Sequence, residues 1–141
     1  MLLLARRIGE RAVAIWCAEL LSGAVEAGDP RRPPIAWLGG RHAAARLAQG
    51  GFAGTAHEHW PRVWAARGLL YAWDPGAGEA VLAGLRDPGW RVRETAVKVA
   101  RKRRVSEAEP ILSHLLDDAV TRVRVAAESA LTSLGRSTES G

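Results

Sequence analysis

Between Arg91 and Arg104 seven basic residues (Arg91, Arg93, Lys98, Arg101, Lys102, Arg103 and Arg104) stand against one acid, Glu94. The window carries +6 while the whole chain carries +5, so the rest of the sequence sums to −1. A cluster of one sign attracts carboxylates and phosphates, which points to an acidic protein segment or a nucleic-acid backbone as partner. Trp60, Trp64 and Tyr71 lie upstream and add aromatic faces, which together with Arg are enriched among the anchors of protein interfaces.

Other reactive side chains point to little chemistry. His57-Glu58-His59 offers two imidazoles, a weak transition-metal pattern whose third ligand would have to come from His42 or His114. No metal and no cofactor are expected. The single cysteine, Cys17, excludes an internal disulfide and a cysteine-based zinc site, and in its apolar run it reads as a small buried hydrophobe. No Ser-His-Asp set, phosphate-cradling glycine motif or carboxylate pair in an active-site setting is visible, so a non-catalytic protein is expected.

The elements that must carry these residues are helical. Leu4, Ile8, Ala12, Ile15, Trp16 and Leu20 recur at three- and four-residue steps and predict an amphipathic helix from Leu3 to about Ala27. Gly28-Asp-Pro-Arg-Arg-Pro-Pro34 ends it. A less regular helix follows over residues 35–49, interrupted by Gly39-Gly40. After the glycine-rich stretch Gly50 to Ala56, Pro61 opens a helix to Trp73, and Asp74 is placed to cap the next, to Arg86. Asp87-Pro-Gly turns the chain into a helix to about Arg103. Ser106-Glu-Ala-Glu109 has the form of a capping box before helices at about 107–117 and 120–134. Gly135 suits a helix end, with 136–141 a polar tail.

The pattern from Asp87 to Gly135 is written twice. Asp87, Val92, Arg93 and Ala96 line up with Asp118, Val123, Arg124 and Ala127, an offset of 31 residues. A period of that length with helical apolar spacing is the mark of stacked repeats that cannot bury their faces alone. Pro110 to Asp118, followed by Val123-Arg124, Ala127, Ala130-Leu131 and Leu134-Gly135, resembles a HEAT repeat of the short bacterial kind, similar to phycobilin-lyase-type HEAT proteins. The resemblance implies an all-α, right-handed α-solenoid of stacked helix pairs, helix A and helix B, with the Asp in the turn between them. About three repeats are expected behind an N-terminal helical cap: 1–50 cap, 51–74 divergent repeat, 75–105 and 106–135 repeats, 136–141 tail, all in one domain. In the divergent copy Arg62 aligns with Arg93, but Ala56 stands at the Asp position and Pro61 at the Val position.

In proteins of this kind the B helices line the concave side, so their outward positions form the expected binding face. These are Trp60, Trp64, Arg67 and Tyr71 in the first row, then Arg91, Thr95, Lys98 and Lys102, then Arg122 with Ala126, Ser129 and Ser133. Arg93 and Arg124 are expected to be structural, bridging repeat turns through Asp87 and Asp118. The expected function is a scaffold or adaptor for a protein partner, with an acidic segment as its ligand. The alternative is nucleic-acid binding through 91–104, and the chain is also similar to HEAT-like alkylpurine DNA glycosylases, for which Trp64, Trp73, Asp74 and Trp90 would be the nearest candidates. Those enzymes wrap a duplex with more repeats than are found here. Met1-Leu-Leu-Leu-Ala-Arg-Arg is too short and wrongly flanked for a signal peptide, and no run approaches a membrane span, so a cytoplasmic location with no membrane contact is expected.

Overall fold

Glycine sets the limits of the first helix. Gly9 (φ 89°) precedes α1 (Glu10–Ser22), and Gly23 (φ 82°) ends it in the left-handed conformation, where a side chain would be strained. Arg6 and Ile8 before it are also helical, so the predicted run is interrupted at Gly9 and stops at Ser22, short of the expected Ala27. Val13, Ala14, Trp16, Cys17, Leu20 and Leu21 are buried on one side, while Ile15 faces outward. The computed structural model describes residue 6 and residues 8–139, with side chains as far as residue 135, so Leu4 lies outside the described residues.

The connection after α1 is pinned by Arg32, whose Nε and Nη2 donate to the two oxygens of Glu19 at 2.9 and 2.6 Å. It leads into α2 (Ala36–Ala48), which is kinked at Gly40 (φ 69°, ψ −154°). Gly39 lets a neighbour approach: a Cβ there would come within 2.6 Å of the Trp64 ring. Then follow α3 (Trp60–Gly68), a 3-10 turn (Pro75–Ala77), α4 (Gly78–Gly84), α5 (Trp90–Lys102), a second 3-10 turn (Ser106–Ala108), α6 (Glu109–Leu115) and α7 (Thr121–Glu139). No strand occurs among the described residues.

Two local expectations are corrected. Ser106 is not an N-cap. It lies inside the 3-10 turn, with Val105 before it and no capping side chain, because burial of Val105 and Ala108 fixes how the chain enters α6. Gly135 does not end the last helix, which continues to Glu139. Asp74, by contrast, caps as its position predicts, accepting from the Gly76 amide at 2.9 Å.

The helices stack as pairs. α4 lies against α5 and α6 against α7, while α3, α5 and α7 pack side by side as one row of B helices. Val92, Ala96, Val99 and Ala100 of α5 are fully buried, and so are Val123, Ala127 and Ala130 of α7. Each such aliphatic contributes about 1.5–3 kcal/mol for Val-sized side chains, and the alanines let the helices come close. α1 packs against both α3 and α4. It thereby takes the place beside α3 that α4 has beside α5, and the glycine-rich stretch before α3 carries no helix of its own. Gly84 marks the closest approach, since a Cβ there would meet Ala96 and Leu21 at 3.1 Å each.

The repeat turns are clasped in register. Arg62 Nε donates to Asp87 Oδ2 at 2.6 Å, and Arg93 Nε to Asp118 Oδ2 at 2.9 Å, each reaching a carboxylate 25 residues on. Each Asp also accepts a turn amide, from Gly89 at 2.8 Å and from Val120 at 2.9 Å. The role of Arg93 is structural, and Asp118 is the carboxylate it bridges to, while Asp87 offers it a backbone oxygen at 2.9 Å. Arg124 repeats the second contact, donating to the Asp118 carbonyl at 2.6 Å.

Candidate partner-binding face

The three B helices begin at Trp60, Trp90 and Thr121, so their first turns come side by side. Residues one repeat apart therefore stack. The Arg91 guanidinium lies 4.4 Å from the Trp90 ring and 5.6 Å from that of Trp60, and the Arg122 guanidinium lies 5.5 Å from Trp90. Arg122 in turn grips Glu94, with Nε at 2.8 Å from Oε2 and Nη2 at 3.2 Å from Oε1. Lys98 approaches the same carboxylate at 3.5 Å. The result is a row of alternating indoles and guanidiniums crossing all three helices, held by ring-face attraction for cations and ending on a buried acid.

A second row crosses the far ends. Lys102 Nζ donates to the Leu70 carbonyl at 2.6 Å and sits 5.9 Å from the Tyr71 ring. Arg103 Nε donates to the Leu69 carbonyl at 3.0 Å and lies 5.5 Å from Trp73. These carbonyls end α3, where orphan acceptors and the helix dipole favour a cation. Arg101 reaches forward instead, donating to Ser129 Oγ at 2.7 Å. Much of the basic window thus binds the protein's own helices.

Most predicted face residues are placed together. Arg67, Tyr71, Arg91, Lys98, Lys102 and Arg122 are exposed on the B row, and Trp60 is half-buried within it. One is corrected: Thr95 is buried, and its hydroxyl donates back to the Arg91 carbonyl at 2.8 Å. Trp64 is half-buried like Trp60, on whose ring it stacks at 6.3 Å, and its inner edge meets Phe52 at 5.6 Å and Gly39.

The face also has members the spacing did not single out. Val92, Ala96, Val99 and Ala100 fix the inner side of α5, so Arg101 joins the predicted Lys98 on the outward side, with Glu94 covered beneath Arg122 and Lys98. Between these and Arg122, Val125, Ala126 and Ser129 of α7 runs a groove of about 390 Å³, floored in part by Val97. Val125 is 61% exposed there. Trp90, visible in the sequence as a lone aromatic after the Asp-Pro-Gly turn, proves to be the central ring of the first row.

The set suggested by the glycosylase resemblance is not assembled. Trp90 is at the start of α5 and Trp73 contacts Arg103 just past its end, about 18 Å along the axis. Asp74 is occupied as a cap and pairs with Arg11 at 3.5 Å. His59 lies against Trp60 with ring centroids 4.7 Å apart and planes tilted by 38°, its Nε2 is buried with no partner among the described residues, and burial first, then the charges of Arg91 and Arg62, lower its pKa from 6.5. Among the described residues no group of three or more His, Cys, Asp or Glu side chains could hold a metal ion. Cys17 is fully buried, which pushes its thiol up to about 12. No helix among the described residues is long and apolar enough to cross a membrane.

Comparison with protein families gives a match to a family described as HEAT repeats over residues 57–132. No curated protein and no solved structure matches the chain.

Proposed function

The chain belongs to the HEAT-repeat family, whose repeats cover more than half of it, and on that footing we propose that it is a non-catalytic scaffold or adaptor holding an acidic segment of a protein partner on its B-helix face. HEAT repeats generally mediate protein interactions. Here one observation carries the acidic preference. The face presents Arg67, Arg91, Lys98, Arg101, Lys102 and Arg122, and the acid that neutralises part of it, Glu94, is itself buried. Opposite charge on a partner raises the encounter rate and fixes its register. Trp60 and Tyr71 add apolar anchoring area. The working compartment in this reading is the cytoplasm, and the N-terminal helices serve to close the first end of the stack.

Nucleic acid is the poorer partner for this face. Arg93 is clasped to Asp118 and Arg103 is turned onto the end of α3, so two of the seven cations of residues 91–104 are withdrawn from a phosphate backbone. Fluorescence titration with a labelled oligoglutamate peptide and with a DNA duplex tests the choice. The peptide is expected to bind, Lys98→Glu with Lys102→Glu to abolish binding while the helical circular dichroism persists, and the duplex to stay unbound. Duplex binding with a log-log salt slope of about −3 to −5 would replace this reading with the other.

A further inference from the structure

We infer that Arg91 is the carboxylate reader of this face, and that the segment it takes carries an aliphatic residue beside the acidic one, seated on Val125 in the groove between α5 and α7. The inference rests on the scaffold reading above and adds the chemistry of the contact.

The cations of the face differ in what they already hold. Arg122 and Lys98 share Glu94, Arg101 donates to Ser129, and Lys102 donates to the Leu70 carbonyl. Among the described residues the Arg91 guanidinium contacts two rings, 4.4 and 5.6 Å away, and no carboxylate. The two rings restrain the group, and Arg91 is exposed, so N–H donors of its guanidinium are open to solvent. A carboxylate can meet such donors with two parallel hydrogen bonds. The rings also hold the side chain before a ligand arrives, so less rotamer freedom is lost on binding. Trp90 is fixed in turn by Arg122, which Glu94 anchors.

The neighbouring groove supplies the second half of the contact. Its floor of Val97, Val125 and Ala126 is aliphatic, and its rim of Lys98, Arg101 and Arg122 exceeds Glu94 by two positive charges. Val125 sits where Glu94 stands one repeat earlier and where the buried Val63 stands two repeats earlier, so an exposed apolar side chain at this position occurs in the last row alone of the three. An aliphatic side chain next to an acidic one would leave water there while its neighbour reaches Arg91.

Calorimetric titration with three probes tests this: a short peptide with Glu on both sides of a Leu, its Leu-to-Ser twin, and an oligothymidylate of equal charge. The Leu peptide is expected to bind tightest. Arg91→Lys keeps the charge but loses the fork and the stacking, and should weaken both peptides about tenfold. Val125→Ser should erase the preference for Leu over Ser and leave the affinity of the Ser twin unchanged. Full affinity in Arg91→Lys, or an unchanged preference in Val125→Ser, overturns the inference while the acidic-segment reading stands. No binding of either peptide by the wild-type protein removes that reading and the inference together, and tighter binding of the oligothymidylate does the same in favour of nucleic acid.

Discussion

Arg93 is fastened to Asp118 by two parallel hydrogen bonds, from Nε at 2.9 Å and from Nη2 at 3.1 Å, so helix B of one repeat holds the turn of the next. Both side chains are largely buried, at 16% and 7% exposure. Removing one partner leaves the other charge unpaired out of water. Arg93→Ala is therefore expected to cost about 3 kcal/mol, read as a fall in the chemical-denaturation midpoint. A full melting temperature in that variant would contradict the clasp.

The same clasp gives an acid dependence. Burial alone would raise the Asp118 pKa, but the Arg93 hydrogen bond, the Val120 amide and the charges of Arg93 and Arg124 outweigh it, and the net shift is downward from 3.8. A lowered carboxylate pKa contributes stability that is complete above the unfolded value and is lost as pH falls through the folded one. Denaturation midpoints should drop below about pH 4, and Asp118→Asn should be less stable at neutral pH with a flatter acid limb. An identical acid limb in the variant would remove Asp118 as its source.

His59 acts with the opposite charge type. Its pKa is lowered by burial and by Arg91 and Arg62, so the neutral imidazole is the folded form. The unfolded chain then takes up the proton first, and stability should decline as pH falls below 6.5 toward the folded value. His59→Gln should flatten the profile between pH 6.5 and the acid limb. Carbon–proton NMR of the imidazole checks the sign directly: a midpoint above 6.5 would refute it.

Gly39 is predicted to resist alanine although alanine favours helix. The added Cβ would lie 2.6 Å from the Trp64 ring and 2.7 Å from the Ala43 Cβ, neither of which is the end of a flexible chain. Overpacking of this kind costs about 1–3 kcal/mol, more than the roughly 1 kcal/mol gained in helix propensity. Thermal melting of Gly39→Ala should show a loss, and a gain would mean that α2 and α3 can part without cost.

Cys17 should be chemically silent in the native protein. Its thiol is fully buried and shifted up to about 12, so almost no thiolate is present at neutral pH. A chromogenic disulfide reagent is expected to react only in denaturant. Rapid labelling of the folded protein would place Cys17 at the surface.

The middle and last repeats were legible because their burial is periodic: Val92 and Ala96 predict Val123 and Ala127, and all four are fully buried. Extending the same offset to Arg62 also found a true rung, its pair with Asp87. The first half was less legible. α1 sits beside α3 across a long intervening segment, and no offset in the sequence reveals which distant helix will fill a gap in a stack. Thr95 failed for a different reason. A three- and four-residue stripe identifies one side of a helix, but which flank of that side meets the preceding helix is set by the crossing geometry. Trp90, named only for the glycosylase alternative, was left out of the face because no other row has an indole at its position, and Val125 because its counterpart Val63 is buried and the alignment gives no sign that the last row exposes it.

The joints between the B helices are not equal. α3 and α5 are fastened at both ends, by Arg62 on Asp87 and by Lys102 and Arg103 on the last carbonyls of α3. At the α5–α7 joint Arg93 holds the near end and Arg101 donates to Ser129 partway along, while uncharged Ser133 and Leu134 stand at the positions of Lys102 and Arg103. Cations therefore brace the last helix at its near edge and at mid-height, where the first joint is braced at its two extremes. The groove beside Val125 lies along that second joint, so the Arg101–Ser129 strut spans the groove itself and any ligand seated there rests against a brace of the stack.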